Sequence, residues 1–272
     1  MTALVEALWT AEPTTNFRQR KRLSRSSHNR RKPLYQAVFA TLSSRRTART
    51  AALNCINLGK IIDPACGCGN FMIVTYEELR KLELEILKVY RGGTRQLVLD
   101  ISSLVKVNVG QFYGIECEDF PCQIAQVGMW LMDHKMNNLV SDEFGKYYAR
   151  LPITQSATII HGNALRIDWE SVVPKEELRY ILGNPPFVGA SMMSAEQKAE
   201  AVAIFGKIKL SNSIDYVGAW YHKAAQYIQD TQIHVAFVST NSITQGEQVA
   251  PLWGKMFDTY GVHIDFGYRT FK

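Results

Sequence analysis

The sequence predicts an α/β fold, a mostly parallel sheet with helices on both faces. Three observations predict it. From Leu53 onward, short apolar runs alternate with stretches of helical periodicity, the pattern of parallel strands buried between helices. A glycine loop follows the first run and a Gly-Asn-Pro-Pro-Phe turn follows the fourth, where strands of such a sheet end. Finally, 272 residues, 46% of them apolar, suffice for one sizeable core.

In order, Gly59–Ile62 reads as a buried strand, and Phe71–Leu87 as a helix with Leu79, Leu82, Leu84 and Leu87 near 3.6 spacing. Phe112–Ile115 is the second strand and Gln123–His134 the second helix. Ala157–Ile160 and Arg179–Leu182 are the third and fourth strands. Ile214–Tyr227 is a further helix, His234–Ser239 the fifth strand, and Val262–Phe266 begins another. Residues from about 81 to 110 exceed a minimal strand–helix–strand unit and read as a helical excursion. The chain stops at Thr270-Phe271-Lys272 without a capping element, and is expected to be part of something larger.

Charge divides the chain. Between Pro13 and Ile62 stand 12 Lys or Arg and no acid, while residues 63–272 hold 19 bases against 23 acids. Residues 1–50 are therefore expected to form a basic, poorly ordered arm able to grip phosphates, and 51–272 the main domain. No run of about 18 apolar residues exists to span a membrane. The first residues carry Glu6 and Glu12 and no basic stretch, unlike a secretory signal. Five cysteines without a regular framework point to a reduced, cytoplasmic protein.

Four constellations carry chemistry. The first is Asp63-Pro64-Ala65-Cys66-Gly67-Cys68-Gly69-Asn70-Phe71, following a strand and opening a helix. Its glycines allow a tight turn close to a ligand. Asp63 at the strand end suits an ammonium group rather than a phosphate, as the amino-acid end of S-adenosylmethionine requires. The expected cofactor contacts are Asp63, Ala65, Gly67, Gly69, Asn70 and Phe71. The second is Glu116, ending the next strand, where its two oxygens can take two ribose hydroxyls. It lies 53 residues after Asp63, beyond the usual ~20, a gap the excursion fills. The third is Gly162-Asn163-Ala164-Leu165. Asn163 is placed to bond the cofactor's adenine amine beside Ala164, with Ile115 and Leu165 flanking the ring; a plain turn asparagine is the alternative.

The fourth constellation sets the class. In Gly183-Asn184-Pro185-Pro186-Phe187, two prolines stiffen the loop and remove backbone donors. The Asn184 side-chain oxygen and the Pro185 carbonyl can then accept from a substrate amine, drawing its nitrogen toward tetrahedral geometry for attack on a methyl sulfonium. Pro186 fixes the turn, and Phe187 offers a face for a planar base. No metal is called for.

The phrases DPACGCGNF, GIE, GNAL and GNPPF, in this order, resemble amino-directed DNA methyltransferases of the gamma arrangement. Wider phrases are closer to one group: YEELRKLE, QFYGIE, Ile214-Asp215-Tyr216-Val217 with AWYHKAA, AFVSTNSITQGEQV and FGYRTFK resemble the methyltransferase domain of the MmeI-like restriction–modification enzymes. The resemblance runs from about Gly59 to Lys272. It implies a Rossmann-like class I S-adenosylmethionine-dependent methyltransferase, with 51–272 as its catalytic domain. It further implies methylation of adenine N6, flipped out of double-stranded DNA, within a restriction–modification polypeptide. Residues 1–55 carry no Tyr-Thr segment of the kind that closes over the cofactor in such enzymes. The nuclease and target-recognition domains of full-length relatives are expected to be missing, so cutting is not expected.

Two decoys accompany these motifs. Phe120-Pro121-Cys122-Gln123 matches the nucleophile phrase of cytosine-C5 methyltransferases, but sits six residues after Glu116 and lacks the Glu-Asn-Val phrase that chemistry needs. Cys66, Cys68, Cys117 and Cys122 lack zinc-finger spacing, so no metal is expected. Trp130, Trp220 and Tyr227 read as core. Asn241-Ser242 and Gln245-Gly246 read as a polar loop able to line a base pocket. The alternatives to DNA are a protein glutamine or an RNA base as methyl acceptor, or a cofactor-binding remnant without turnover.

Overall fold

The computed structural model describes residues 4–11, 59–92, 104–144, 156–206 and 213–269. Its strands are β1 (Leu4–Ala11), β2 (Lys60–Asp63), β3 (Phe112–Glu116), β4 (Thr158–His161), β5 (Leu178–Gly183), β6 (His234–Thr240) and β7 (Val262–Arg269). Its α-helices are α1 (Asn70–Gly92), α2 (Asp119–Phe144), α3 (Ala195–Phe205), α4 (Val217–Tyr227) and α5 (Val249–Asp258). The strands form one sheet in the order β4-β3-β2-β5-β6-β1-β7. The five from β4 to β6 are parallel, and β1 lies antiparallel between β6 and β7.

Neighbouring residues of β2 face opposite layers, as the two-residue period of a strand demands. Ile61 packs with Met72 and Tyr76 of α1 and with Ala125 and Met129 of α2. Ile62 packs with Trp220, Ala224 and other residues of α4 on the other face. Helices thus cover both faces, as the alternation of the sequence predicts. Both helices of the first layer present apolar residues at i, i+3 or i+4 spacing.

Three elements are not among those expected from the sequence. Leu4–Ala11 belongs to the segment read as a basic arm, yet it pairs along its length with β6 and β7. The expected arm is corrected there; its charged part, and the place of the missing Tyr-Thr segment, lie outside the described residues. Helix α3 opens with a reciprocal capping box, in which Ser194 Oγ accepts from the Gln197 amide (3.1 Å) and the Gln197 side chain from the Ser194 amide (3.0 Å). Helix α5 buries Leu252, Trp253 and Met256.

Helix α1 runs on to Gly92, five residues past the end expected from the sequence, and residues 93–103 of the expected excursion lie outside the described residues. The returning chain is tied back to α1 by buried charges. Arg80, fully buried, donates to the Val107 carbonyl (2.9 Å) and to Asn137 Oδ1 on α2 (3.0 Å). Its Nε lies 3.6 Å from Glu83, which accepts from the Val107 amide (3.0 Å). This pins the 104–108 segment against α1 and so sets where β3 begins. Among the described residues, no helix is long and apolar enough to cross a membrane.

Candidate functional site

The sheet order reverses between β2 and β5, and in open α/β sheets such a switch point is where ligands bind, beyond the carboxyl ends of the strands. Asp63 ends β2 and Gly183 ends β5, side by side. A Cβ added to Gly183 would collide with the Asp63 carboxylate, so only glycine fits beside that acid. Asp63 is 1% exposed; its Oδ1 accepts from the Ala65 amide at 3.0 Å, while Oδ2 is buried without a partner. Burial, with Glu116 nearby, pushes its pKa up to about 7. A buried carboxylate oxygen left unpaired is costly and fits a cationic group of a ligand.

The glycine loop wraps this acid. The Cys66 amide donates to the Ile115 carbonyl (3.2 Å), tying the loop to β3, and the Gly69 amide closes a turn onto the Cys66 carbonyl (2.8 Å). Gly69 adopts φ +82° and lies against Ala125 of α2, where a side chain would meet backbone at 3.1 Å. Helix α1 starts at the next residue, with Asn70 and Phe71 exposed at its mouth. Glu116, ending β3, reaches the loop: its Oε2 accepts from the Gly67 amide (2.8 Å) and its Oε1 from the Glu118 amide (3.0 Å). Oε1 also accepts from the exposed Cys117 thiol (3.2 Å), a weak donor, while Oε2 keeps a lone pair for a ligand hydroxyl. Asp63, Ala65, Gly67, Gly69, Asn70 and Phe71 thus lie along one strand–loop–helix turn, and Glu116 is bonded to it.

Asn163 and Ala164 stand on the neighbouring loop after β4, but the asparagine is engaged. Its Oδ1 accepts from the Leu165 amide (2.8 Å) and its Nδ2 donates to Glu200 (2.8 Å). The turn reading expected as an alternative describes these bonds. Ile115 is fully buried and Leu165 nearly so, both in the core. Trp130 is a further correction, being 37% exposed on α2 rather than core.

Beyond β5, residues 184–189 follow an irregular path. Asn184 and Pro186 are exposed, Pro185 is buried, and Phe187 is 39% exposed. Among the described residues, the Asn184 side chain has no hydrogen-bond partner and the Phe187 ring no aromatic neighbour, which leaves both available to a substrate. The cytosine-type alternative fails here. Cys122 is buried in the first turn of α2, its thiol points at the Glu116 carbonyl (3.6 Å), and burial raises its pKa away from a reactive thiolate. No group of three or more metal-ligating side chains is gathered among the described residues.

Helix α4 supplies supports that sequence reading missed. The Trp220 indole, read only as core, donates to the Pro64 carbonyl (3.0 Å) and holds the glycine loop from beneath. Lys223 donates to the carbonyls of Ala164 (2.7 Å), Leu165 (3.0 Å) and Ile167 (2.6 Å), and burial pulls its pKa down to about 8. The Tyr216 hydroxyl bonds Glu200, the partner of Asn163. Residues 216, 220 and 223 share a face by their i, i+4, i+7 spacing. That spacing was the one signal available.

A family model described as "MmeI, DNA-methyltransferase domain" matches residues 42–272. DNA methyltransferase A of Bacillus subtilis (strain 168) is 41% identical over 216 residues, which are 78% of this chain and 24% of that protein. The solved structure of the Type IIL restriction–modification enzyme MmeI in complex with DNA is 48% identical, with a TM-score of 0.77. That match covers 82% of this chain and 30% of the MmeI chain. The matched part of the chain thus spans 24% to 30% of the length of these relatives.

Proposed function

The chain belongs to the family of MmeI DNA-methyltransferase domains, and on that premise we propose that it methylates the N6 amine of adenine in DNA, as the modification domain of a restriction–modification enzyme. The observation that carries this reading is the unpartnered Asn184 side chain, set beside the exposed Phe187 ring at the switch point, next to the buried orphan oxygen of Asp63. A free acceptor for an amine and a free aromatic face for a base adjoin a site for a ligand cation.

S-adenosylmethionine, when bound, supplies an electrophilic methyl group on a sulfonium. Asp63 Oδ2 would hold the ammonium of its amino-acid end, with the glycine loop, Asn70 and Phe71 as the residues beside it. Glu116 takes ribose hydroxyls while keeping its bond to the Gly67 amide. Asn163 and Ala164 flank the adenine end, with Asn163 contributing only the capacity its internal bonds leave free. On the acceptor side, Asn184 and the Pro185 carbonyl accept from the target amine as it turns tetrahedral, with Pro186 fixing their loop. Phe187 supports a base flipped out of double-stranded DNA. The basic stretch from Pro13 to Ile62 adds contact to DNA phosphates. In longer relatives, nuclease and target-recognition domains complete the enzyme.

The test offers tritiated S-adenosylmethionine with duplex DNA, RNA and a glutamine peptide in parallel. Label should enter DNA as N6-methyladenine; label in RNA or peptide alone would overturn the DNA reading.

Two further outcomes concern the cofactor. Removing Glu116 (Glu116→Ala) should weaken S-adenosylmethionine binding by about 1–3 kcal/mol, because ribose hydroxyls and the Gly67 amide both lose their acceptor. Calorimetry on both proteins measures this. The raised pKa of Asp63 also makes binding pH-dependent. Its carboxyl must be ionised to pair with an ammonium, and below about pH 7 it is mostly protonated. Affinity should therefore rise as pH increases from 6 to 8, by about tenfold, with proton release at the lower pH. Binding heats at pH 6 in two buffers of different ionisation enthalpy should differ. Equal heats would remove Asp63 from the ammonium site.

A further inference from the structure

The loop that carries Asn184 and Phe187 is irregular, and its anchors come from the two residues before α4. The Tyr216 amide donates to the Val188 carbonyl at 2.9 Å. The Ala190 amide donates to Asp215 Oδ1 at 3.0 Å. The other Asp215 oxygen reaches a different loop. Oδ2 accepts from the Ser242 hydroxyl (2.6 Å), in the 3-10 turn Asn241–Thr244 after β6, and from the Gln248 amide nitrogen (2.9 Å), just before α5. Gln248, 6% exposed, returns its own oxygen to the Asp215 backbone amide (3.1 Å). Ser242 is braced by Thr240 at the end of β6 (2.5 Å).

One carboxylate therefore ties together the loops after β5 and β6. Those strands are parallel neighbours, with Gly183 opposite Phe237. Their loops rise side by side from the carboxyl edge of the sheet, and a base beside Asn184 and Phe187 must sit between or against them. We infer that Asp215 is a positioning residue of the methyl-acceptor pocket, setting the separation of these two loops and hence the fit of the target base. This rests on the methyltransferase reading above and deepens it.

The chemistry demands an acid at 215. Three donors converge on it: the Ala190 amide, the Ser242 hydroxyl and the Gln248 amide nitrogen. Gln248 cannot turn its amide over, because its oxygen is committed to the Asp215 backbone. An asparagine at 215 would set an NH2 against the Gln248 NH2, breaking one link whichever way it turned. The same geometry names a rescue. With Asp215→Asn, a second change Gln248→Glu places a carboxylate opposite the new NH2 and restores the link with donor and acceptor exchanged.

The experiment uses the full chain with tritiated S-adenosylmethionine and duplex DNA, and reads amide hydrogen exchange over 184–193 and 240–248. Asp215→Asn should lower kcat about 10²-fold, the scale of a misplacement near 1 Å, with KM for S-adenosylmethionine within twofold. Exchange should quicken in both loops together and stay unchanged over 63–70. Ser242→Ala, which removes one donor of three, should act in the same direction and more weakly. Adding Gln248→Glu to Asp215→Asn should recover at least tenfold in kcat and slow exchange in both loops. An active wild type matched by Asp215→Asn overturns the inference alone, as does a double variant no better than the single. A cofactor KM that moves as far as kcat also overturns it. A wild type that methylates no acceptor overturns the methyltransferase reading, and this inference with it.

Discussion

Asn184→Ala is expected to lower methyl transfer about 10²–10³-fold, the scale for losing one preorganised polar contact in a transition state. The target nitrogen becomes a stronger donor only as it turns tetrahedral, so the loss falls on kcat rather than on substrate binding. Cofactor affinity should scarcely change, since the ammonium site is built on Asp63 and the glycine loop, and Asn184 makes no bond to either. Phe187→Ala should weaken productive DNA binding by about 1–3 kcal/mol, by analogy with bases stacked on aromatic rings, and Phe187→Trp should be tolerated. Cys122→Ala is the contrasting control. That thiol is buried in a helix and kept protonated, so its removal should leave turnover nearly normal. Single-turnover assays with tritiated donor decide the matter. A dead Cys122→Ala beside an active Asn184→Ala would sink amino-directed chemistry.

Arg80→Ala should destabilise the domain by about 3–5 kcal/mol, the cost of breaking a buried ion pair from one side. The guanidinium is fully buried, and its loss abandons Asn137 on α2, the Val107 carbonyl and the Glu83 carboxylate together. Denaturant unfolding should show the midpoint fall with little change in slope. Lys81→Ala, one residue along the same helix, should leave the midpoint where it is. Its partners Glu77 and Glu78 are a turn away on a solvated face. A midpoint equally insensitive to both substitutions would show that the return of the excursion is not held through Arg80.

Arg80 and Lys81 mark the limit of what periodicity reveals. Two adjacent basic residues in an amphipathic stretch look alike, and only the packing of α2 and the 104–108 segment buries one of them. The same limit explains the missed strand. The apolar residues of Leu4–Ala11 do not alternate strictly, and its partners lie more than 220 residues away. Helix α3 was more accessible, because Ser194-Ala195-Glu196-Gln197 spells a capping box. Asn163 shows the converse: its motif was legible, but which atoms remain for a ligand depended on Glu200, brought in by a different helix.

The alternating strands and helices, the glycine loop with its two acids, and the Asn-Pro-Pro-Phe turn can all be read from the residues. Each is a short-range pattern, set by the two-residue and 3.6-residue periods of the backbone or by side chains within a few residues of one another. Packing is what brings β1 into the sheet, buries Arg80, sets Trp220 under Pro64 and makes Asp215 join two loops. These depend on groups far apart in the chain, and their partners are often backbone carbonyls and amides. Every residue carries those, so no pattern of side chains can announce which one will be met.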